Sequence, residues 1–247
     1  MSKGRKKTNS RVRKIAADVI IICLLGIIAV CGYNLYTIFR DYKADQNSYT
    51  RIQESAVAEE FDGNVDFDAL KAINPDVIAW LYLKDTKINY PVVKAPDNSK
   101  YLSTLFDGSA GGAGTLFTDC YTENPFGQFS TIVYGHHMKD KSMFCSLDYF
   151  RDSSFTDEHP QFELVTPEGE YHLEVWAYVN VPSDSKLYTV NVSGNDREPY
   201  LNMIRENADY LTDVSVGVDD NIVLLSTCGY EYENARHVVV CKMVPRD

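Results

Sequence analysis

The run Leu224-Leu225-Ser226-Thr227-Cys228-Gly229 ends an apolar, strand-like stretch on a thiol. Eight residues after the cysteine, Arg236 opens a second apolar run, with a short polar loop between the two. Upstream, Ile132-Val133-Tyr134-Gly135-His136 closes another β-like run on an imidazole. These three side chains are the parts of an acyl transfer through sulfur. A thiolate attacks an amide carbonyl, an imidazole protonates the leaving amine, and a guanidinium stabilises the oxyanion.

Each residue also has a plainer reading. A free cysteine is commonly a buried structural residue. Cys241, inside Val238-Val239-Val240-Cys241, fits that description. Cys228 fits it badly, because it meets Gly229 and a polar loop at a strand mouth, where reactive side chains tend to be exposed. A lone histidine is more often a surface or satisfied core residue than a catalyst. His137 should face away from His136 if the strand continues, since the side-chain period is two. Arg236 taken alone reads as a strand-end cation facing water. Its functional reading is a fixed, permanently charged fork of donors that lysine should not replace.

The elements that must position these groups are mostly strands. Val77–Leu83 and Ile88–Val93 flank a turn at Lys84-Asp85-Thr86. Thr115–Thr118 and Thr131–Tyr134 follow. Gln161–Thr166 and Tyr171–Val181 flank Pro167-Glu168-Gly169, a hairpin signal. Ile222–Thr227 and His237–Val244 come last. Many short strands argue for a closed barrel or sandwich. Phe67–Ile73 reads as a short helix capped by Asp66 and stopped by Asn74-Pro75. Met143–Phe150 reads as a short helix, and Asp196–Leu211 as an amphipathic one with Tyr200, Leu201, Ile204, Ala208 and Leu211 at helical spacing.

Charge is segregated. The first 14 residues hold seven Lys and Arg and no acid, whereas residues 41–247 hold 16 basic and 34 acidic side chains, a net of −18. The acidic part is a poor nucleic-acid binder, because phosphate contacts need clustered cations. Between them Ile15–Phe39 is apolar, with no charge from Val19 to Tyr33 and with Tyr33, Tyr36 and Phe39 at its far end. That segment suits a membrane-spanning helix, and the positive-inside rule puts the basic arm in the cytoplasm. A cleaved secretory signal is the competing reading, with Ala29-Val30-Cys31 as its nearest cleavage site; segment length favours an uncleaved anchor. No CxxC or His/Cys cluster suggests zinc, and an acidic surface does not by itself make a calcium site.

Ser226-Thr227-Cys228 with Arg236, and Tyr134-Gly135-His136-His137-Met138-Lys139-Asp140, resemble the signature segments of class B sortases, membrane-anchored cysteine transpeptidases of Gram-positive bacteria. The resemblance runs from roughly Asp66 to Val244. It includes Pro96-Asp97-Asn98-Ser99-Lys100-Tyr101-Leu102 and Gly114-Thr115-Leu116-Phe117-Thr118-Asp119. It implies a mainly β fold: an eight-stranded sortase-type β-barrel with N-terminal helices and a helix before the seventh strand. It implies Cys228 as nucleophile, His136 as proton carrier and Arg236 as oxyanion donor. By the same resemblance Asn98, Leu102, Ser226, Leu187 and Tyr188 contact the substrate; plain packing is the alternative for Leu102, Leu187 and Tyr188.

The implied activity is cleavage of a C-terminal sorting motif of the Asn-Pro-x-Thr-Asn or Asn-Pro-x-Thr-Gly kind after threonine. The acyl group then passes to a cell-wall amine, with no cofactor or metal. Hydrolysis of the same motif by a cysteine endopeptidase, or a non-catalytic surface-binding module, are the competing functions. Implied partners are secreted proteins bearing the sorting signal, a peptidoglycan amine from a peptide stem or cross-bridge, and the membrane. The expected organisation is a cytoplasmic arm (1–14), a transmembrane signal-anchor (15–39), a stalk or linker (40–65) and an extracellular catalytic domain (66–247). Three positions depart from the family pattern: Cys120, Cys145 and Gly229, the last where some members carry an acid.

Overall fold

A computed structural model describes residues 4–58 and 60–246, with side chains described from Arg13 onward. The basic arm expected at 1–14 therefore falls largely outside the described side chains. The chain divides into two compact units, residues 1–44 and 45–247.

In the first unit the helix α1 (Gly4–Ala56) carries the apolar segment. Its large side chains between Ile15 and Phe39 are almost all exposed, and the stretch is long and apolar enough to cross a membrane. In the second unit the last turns of α1 present Asp45, Ser48, Tyr49, Ile52 and Ala56 as one buried stripe. The Asp45 carboxylate accepts from the Ala113 N–H at 3.0 Å, the Ser48 hydroxyl donates to Asp107 at 2.5 Å, and the Tyr49 hydroxyl donates to the Gly114 carbonyl. The stretch expected as a stalk is thus, from Asp45 on, a packed helix of the larger unit. Two of its five buried side chains are polar and are satisfied by a distant loop, so apolar periodicity could not reveal the stripe.

Helix α2 (Phe67–Ile73) begins as its sequence requires, with the Asp66 carboxylate accepting from the Ala69 N–H at 2.9 Å. Nine strands follow: β1 (Val77–Tyr82), β2 (Asn89–Lys94), β3 (Leu116–Thr118), β4 (Ser130–Tyr134), β5 (Gln161–Thr166), β6 (Gly169–Pro182), β7 (Tyr210–Leu211), β8 (Asn221–Cys228) and β9 (Ala235–Pro245). Their order is β5-β1-β2-β3-β4-β8-β9-β6-β7, and β5 also pairs with β6. That pairing closes eight strands into a barrel and leaves the two-residue β7 as an addition on β6. The fully buried strand side chains include Trp80, Leu116, Ile132 and Phe162, all at most 1% exposed, and they fill both faces of the sheet, Ile132 packing in the cluster with α4.

Two local expectations change. The stretch 144–151 is a 3-10 helix, and it is followed by α3 (Ser153–Glu158), which Asp152 caps by accepting from the Ser154 N–H. Helix α4 (Arg197–Asn207) stops short of residue 211: Ala208 turns extended, the Asp209 N–H bonds the Tyr178 carbonyl, and Leu211 pairs with Ala177. Tertiary pairing to β6 takes the chain away from its helical period there. Tyr200, Leu201 and Ile204 still bury one face of α4 against the barrel, ahead of the barrel's seventh strand, β8.

Candidate active site

The site begins with strand register. Cys228 is the last residue of β8 and lies directly opposite Arg236 on β9. Direct cross-strand partners project to the same face, so thiol and guanidinium share a side of the sheet. On the other flank β4 runs parallel to β8, pairing Tyr134 with Ser226. The junction continues past β4: the Gly135 N–H donates to the Ser226 carbonyl at 3.1 Å, and the Thr227 hydroxyl donates to the Gly135 carbonyl at 2.8 Å. His136 therefore leaves its strand beside the end of the strand that carries the thiol.

Gly135 makes this junction fit. A Cβ there would lie 2.5 Å from Leu116 Cδ2 and 2.6 Å from Phe144 Cδ2. Gly114 supports the facing wall with φ near +59°, where a side chain would strike the Tyr101 carbonyl. That wall supplies the partner of the histidine: His136 Nε2 lies 2.7 Å from the Leu102 carbonyl oxygen. A carbonyl only accepts, so Nε2 carries the proton and Nδ1 is the basic nitrogen of the neutral ring.

These elements enclose a cleft of about 280 Å³ whose walls include Cys228, His136, Arg236, Asn98, Leu102, Ser226 and Tyr188. The sequence-nominated residues thus meet there, with one exception. Leu187 is 2% exposed and packs into the core cluster beneath α4, where its carbonyl accepts from the Tyr200 hydroxyl. Its apolar side chain is used in the core, so it is withdrawn as a substrate contact, while its neighbour Tyr188 takes the cleft side.

Asn98 lines the cleft but spends its amide internally. Its Nδ2 donates to Asp119 at 3.0 Å, and its Oδ1 accepts from the Cys120 N–H at 2.8 Å. Asp119 also accepts from the Tyr134 hydroxyl at 3.0 Å. Across the cleft the Tyr188 and Ser226 hydroxyls lie 2.9 Å apart, and burial pushes the Tyr188 phenol up to about 12. Both groups therefore act as neutral hydroxyls at physiological pH.

Thr115, Phe117, Tyr134, Ser183 and Thr227 also line the cleft and were not nominated. Phe117 and Tyr134 are a register pair on β3 and β4, a long-range relationship that no local spacing records. Ser183 reaches the site through the end of β6, its N–H donating to the Asn234 carbonyl at 2.9 Å.

The histidine and cysteine neighbours go elsewhere. His137 turns from the cleft towards Asp148 (3.4 Å) and Cys145 (Sγ to Nε2, 3.7 Å). Burial pushes the Cys145 thiol up, and that of Cys241 further still. Among the described residues, Asp148, Glu231 and His237 bring potential metal-ligand atoms within 4.8 Å of one another, away from the cleft walls.

No family model matches the chain. A curated relative, sortase B of Listeria monocytogenes, is 30% identical over 251 residues, covering 96% of this chain and all of that protein. A crystal structure of sortase B from Bacillus anthracis in complex with AAEK2 aligns with a TM-score of 0.73 at 33% identity, over 84% of this chain and 99% of that one. A Staphylococcus aureus sortase B–substrate complex aligns with a TM-score of 0.68 at 27% identity, over 87% of this chain and 99% of that one. With that identity sustained over nearly its whole length, and with the same closed barrel, the chain belongs to the class B sortases.

Proposed function

We propose that the chain is a transpeptidase that cuts an Asn-Pro-x-Thr-Asn/Gly-like sorting signal after threonine and transfers the protein to a cell-wall amine. The observation that carries this reading is the convergence of Cys228, His136 and Arg236 on one cleft. The substrate complex of the Staphylococcus aureus relative supports a peptide in that cleft. The exposed apolar part of α1 supports a single-pass anchor, with the basic arm in the cytoplasm and the barrel outside.

In the first half-reaction the Cys228 thiolate attacks the threonine carbonyl carbon, forming a C–S bond and an oxyanion. Arg236 donates to that oxyanion from a guanidinium already anchored by its own bond to the Ala235 carbonyl at 2.9 Å. His136, as imidazolium, gives its proton to the leaving amine as the C–N bond breaks. In the second half-reaction the incoming amine attacks the thioester, His136 takes a proton from it, and Cys228 leaves as thiolate.

The experiment is intact-mass spectrometry of the full chain in detergent, incubated with Asn-Pro-x-Thr-Asn and Asn-Pro-x-Thr-Gly peptides. An acyl adduct ending at threonine, absent in Cys228→Ala, is expected. Product formation that ignores added amine and yields only the free acid would make the chain a hydrolase. No adduct with a Cys228 that still reacts with iodoacetamide would remove the sorting-signal substrate class.

A further inference from the structure

Asp119 is a buried carboxylate, 6% exposed, held among three donors. Its Oδ2 accepts from Asn98 Nδ2 and from the Tyr134 hydroxyl, each at 3.0 Å, and its Oδ1 accepts from the Tyr121 N–H at 2.9 Å. Burying a carboxylate is costly unless such donors replace water. Its backbone is fixed as well: the Asp119 N–H donates to the Ile132 carbonyl at 3.2 Å, and its carbonyl accepts from the Thr122 N–H at 3.0 Å.

Two of the three donors belong to the cleft. Asn98 and Tyr134 both line it, whereas Asp119 lies behind that wall. They arrive from different elements, Asn98 from the turn ahead of the 3-10 helix 100–102 and Tyr134 from the end of β4. Both meet one carboxylate oxygen.

That meeting decides which polar group each side chain has left. A carboxylate accepts and does not donate, so the Tyr134 phenol must point its single hydrogen at Asp119. Burial first, and the Asp119 charge second, push that phenol's pKa up, so the hydrogen stays. The Tyr134 oxygen is left only as an acceptor. Asn98 is committed at both ends, Oδ1 to the Cys120 N–H at 2.8 Å and Nδ2 to Asp119. One Nδ2 hydrogen remains, as a donor. A donor and an acceptor on one wall match the carbonyl and the N–H of a peptide main chain. The Tyr134 ring is packed separately, 5.4 Å from Phe117 and 6.1 Å from Tyr188. Asp119 therefore sets the polarity of this wall more than its shape.

We propose that Asp119 is a positioning residue for substrate binding: it holds Asn98 as a donor and Tyr134 as an acceptor towards the main chain of the bound peptide. The proposal rests on the transpeptidase reading for that peptide, and one of its readouts needs no peptide. In the full chain in detergent, ¹⁵N-asparagine NMR should show one Asn98 Nδ2 proton exchanging slowly with water, assigned by its loss in Asn98→Ala. Asp119→Asn keeps the shape but turns one oxygen into an NH2 group, which sets donor against donor in either orientation. It should raise KM for an Asn-Pro-x-Thr-Asn peptide at least fivefold, with kcat within threefold and iodoacetamide alkylation of Cys228 within twofold of the parent. Asn98→Ala added to Asp119→Asn should raise KM less than twofold further, because the amide is already misplaced. If Asp119→Asn does not melt cooperatively, Tyr134→Phe takes its place: ring and carboxylate stay, and KM should rise at least twofold.

An unchanged KM in whichever of these variants folds overturns the proposal. So do independent, multiplicative effects of Asp119→Asn and Asn98→Ala on KM. Fast exchange of both Asn98 Nδ2 protons in the parent also overturns it, because the carboxylate would then not hold the amide. If the parent chain cleaves no peptide, the transpeptidase reading falls, while the exchange measurement still decides whether Asp119 fixes Asn98.

Discussion

Cys228 and Arg236 are the closing register pair of the β8–β9 hairpin, held face to face across seven intervening residues. The guanidinium is fixed at one corner by the Ala235 carbonyl, which leaves its other donors for the cleft. A lysine at this position has a single ammonium and cannot both hold that carbonyl and present a rigid fork. Arg236→Lys should therefore lower kcat for transpeptidation about 10²-fold, the scale of losing one oxyanion donor, with little change in KM. Alkylation of Cys228 in the same variant should stay within a few-fold of the parent. A lysine enzyme with near-parental kcat would remove Arg236 from the oxyanion role.

Gly135 sets the exit of His136. Its missing Cβ would press on Leu116 and Phe144, both fully buried and without room to yield. Gly135→Ala should destabilise the fold by about 1–3 kcal/mol through overpacking, a fall in Tm on the order of 2–12 °C for a domain of this size. It should also displace the imidazole from the Leu102 carbonyl. Thermal melts paired with acylation rates check this: activity at a temperature where the variant is fully folded should fall well beyond the unfolded fraction. Activity that tracks stability alone would mean that the junction does not aim the histidine.

The Tyr188–Ser226 hydroxyl pair gives an alkaline signature. The folded Tyr188 phenol is raised to about 12 by burial, against about 10 for an exposed tyrosine. A group whose folded value is raised contributes stability that is complete below the unfolded value and lost as pH climbs through the folded one. The stability of the parent chain should therefore decline between about pH 10 and 12, and Tyr188→Phe should decline less steeply over the same window. Denaturant titrations at several pH values measure both slopes. Equal slopes would mean that the Tyr188 hydroxyl ionises as freely in the fold as outside it.

The barrel and the three central residues were legible in the sequence because they write local signals. Alternating apolar runs end on Cys228 and His136, and Asp66 caps its helix with its own carboxylate. The rest depended on contacts that no window of sequence contains. Leu187 and Tyr188 are adjacent, apolar or aromatic, and equally plausible as cleft residues. Only the packing of α4 buries the first and leaves the second on the wall. Asn98 looked like a substrate contact, yet its amide is occupied by Asp119 and Cys120, more than 20 residues away. His237 lies inside an apolar strand run with no local signal of its partners, and the carboxylates around it, Asp148 and Glu231, come from separate elements.

The last turns of α1 reach the cleft through Tyr49. Its ring is buried edge-on against Tyr90 at 5.1 Å, and its hydroxyl donates to the Gly114 carbonyl. Gly114 is the positive-φ residue whose neighbourhood includes His136 Cδ2. Tyr49→Ala removes a buried aromatic and should cost about 3–5 kcal/mol. It also frees the Gly114 turn, so KM for the sorting peptide should rise as the 101–114 wall loosens. Tyr49→Phe keeps the ring and loses only the hydrogen bond, at about 1 kcal/mol. Comparing the two separates packing from the tether: a rise in KM shared by both variants assigns it to the hydroxyl, and one confined to Tyr49→Ala assigns it to the ring. By the same logic, removing residues 1–44 should leave a cooperative melt, whereas removing 1–65 should strip Tyr49 and Ile52 from the barrel and abolish it. A cooperative melt retained without residues 45–65 would place α1 outside the folding unit.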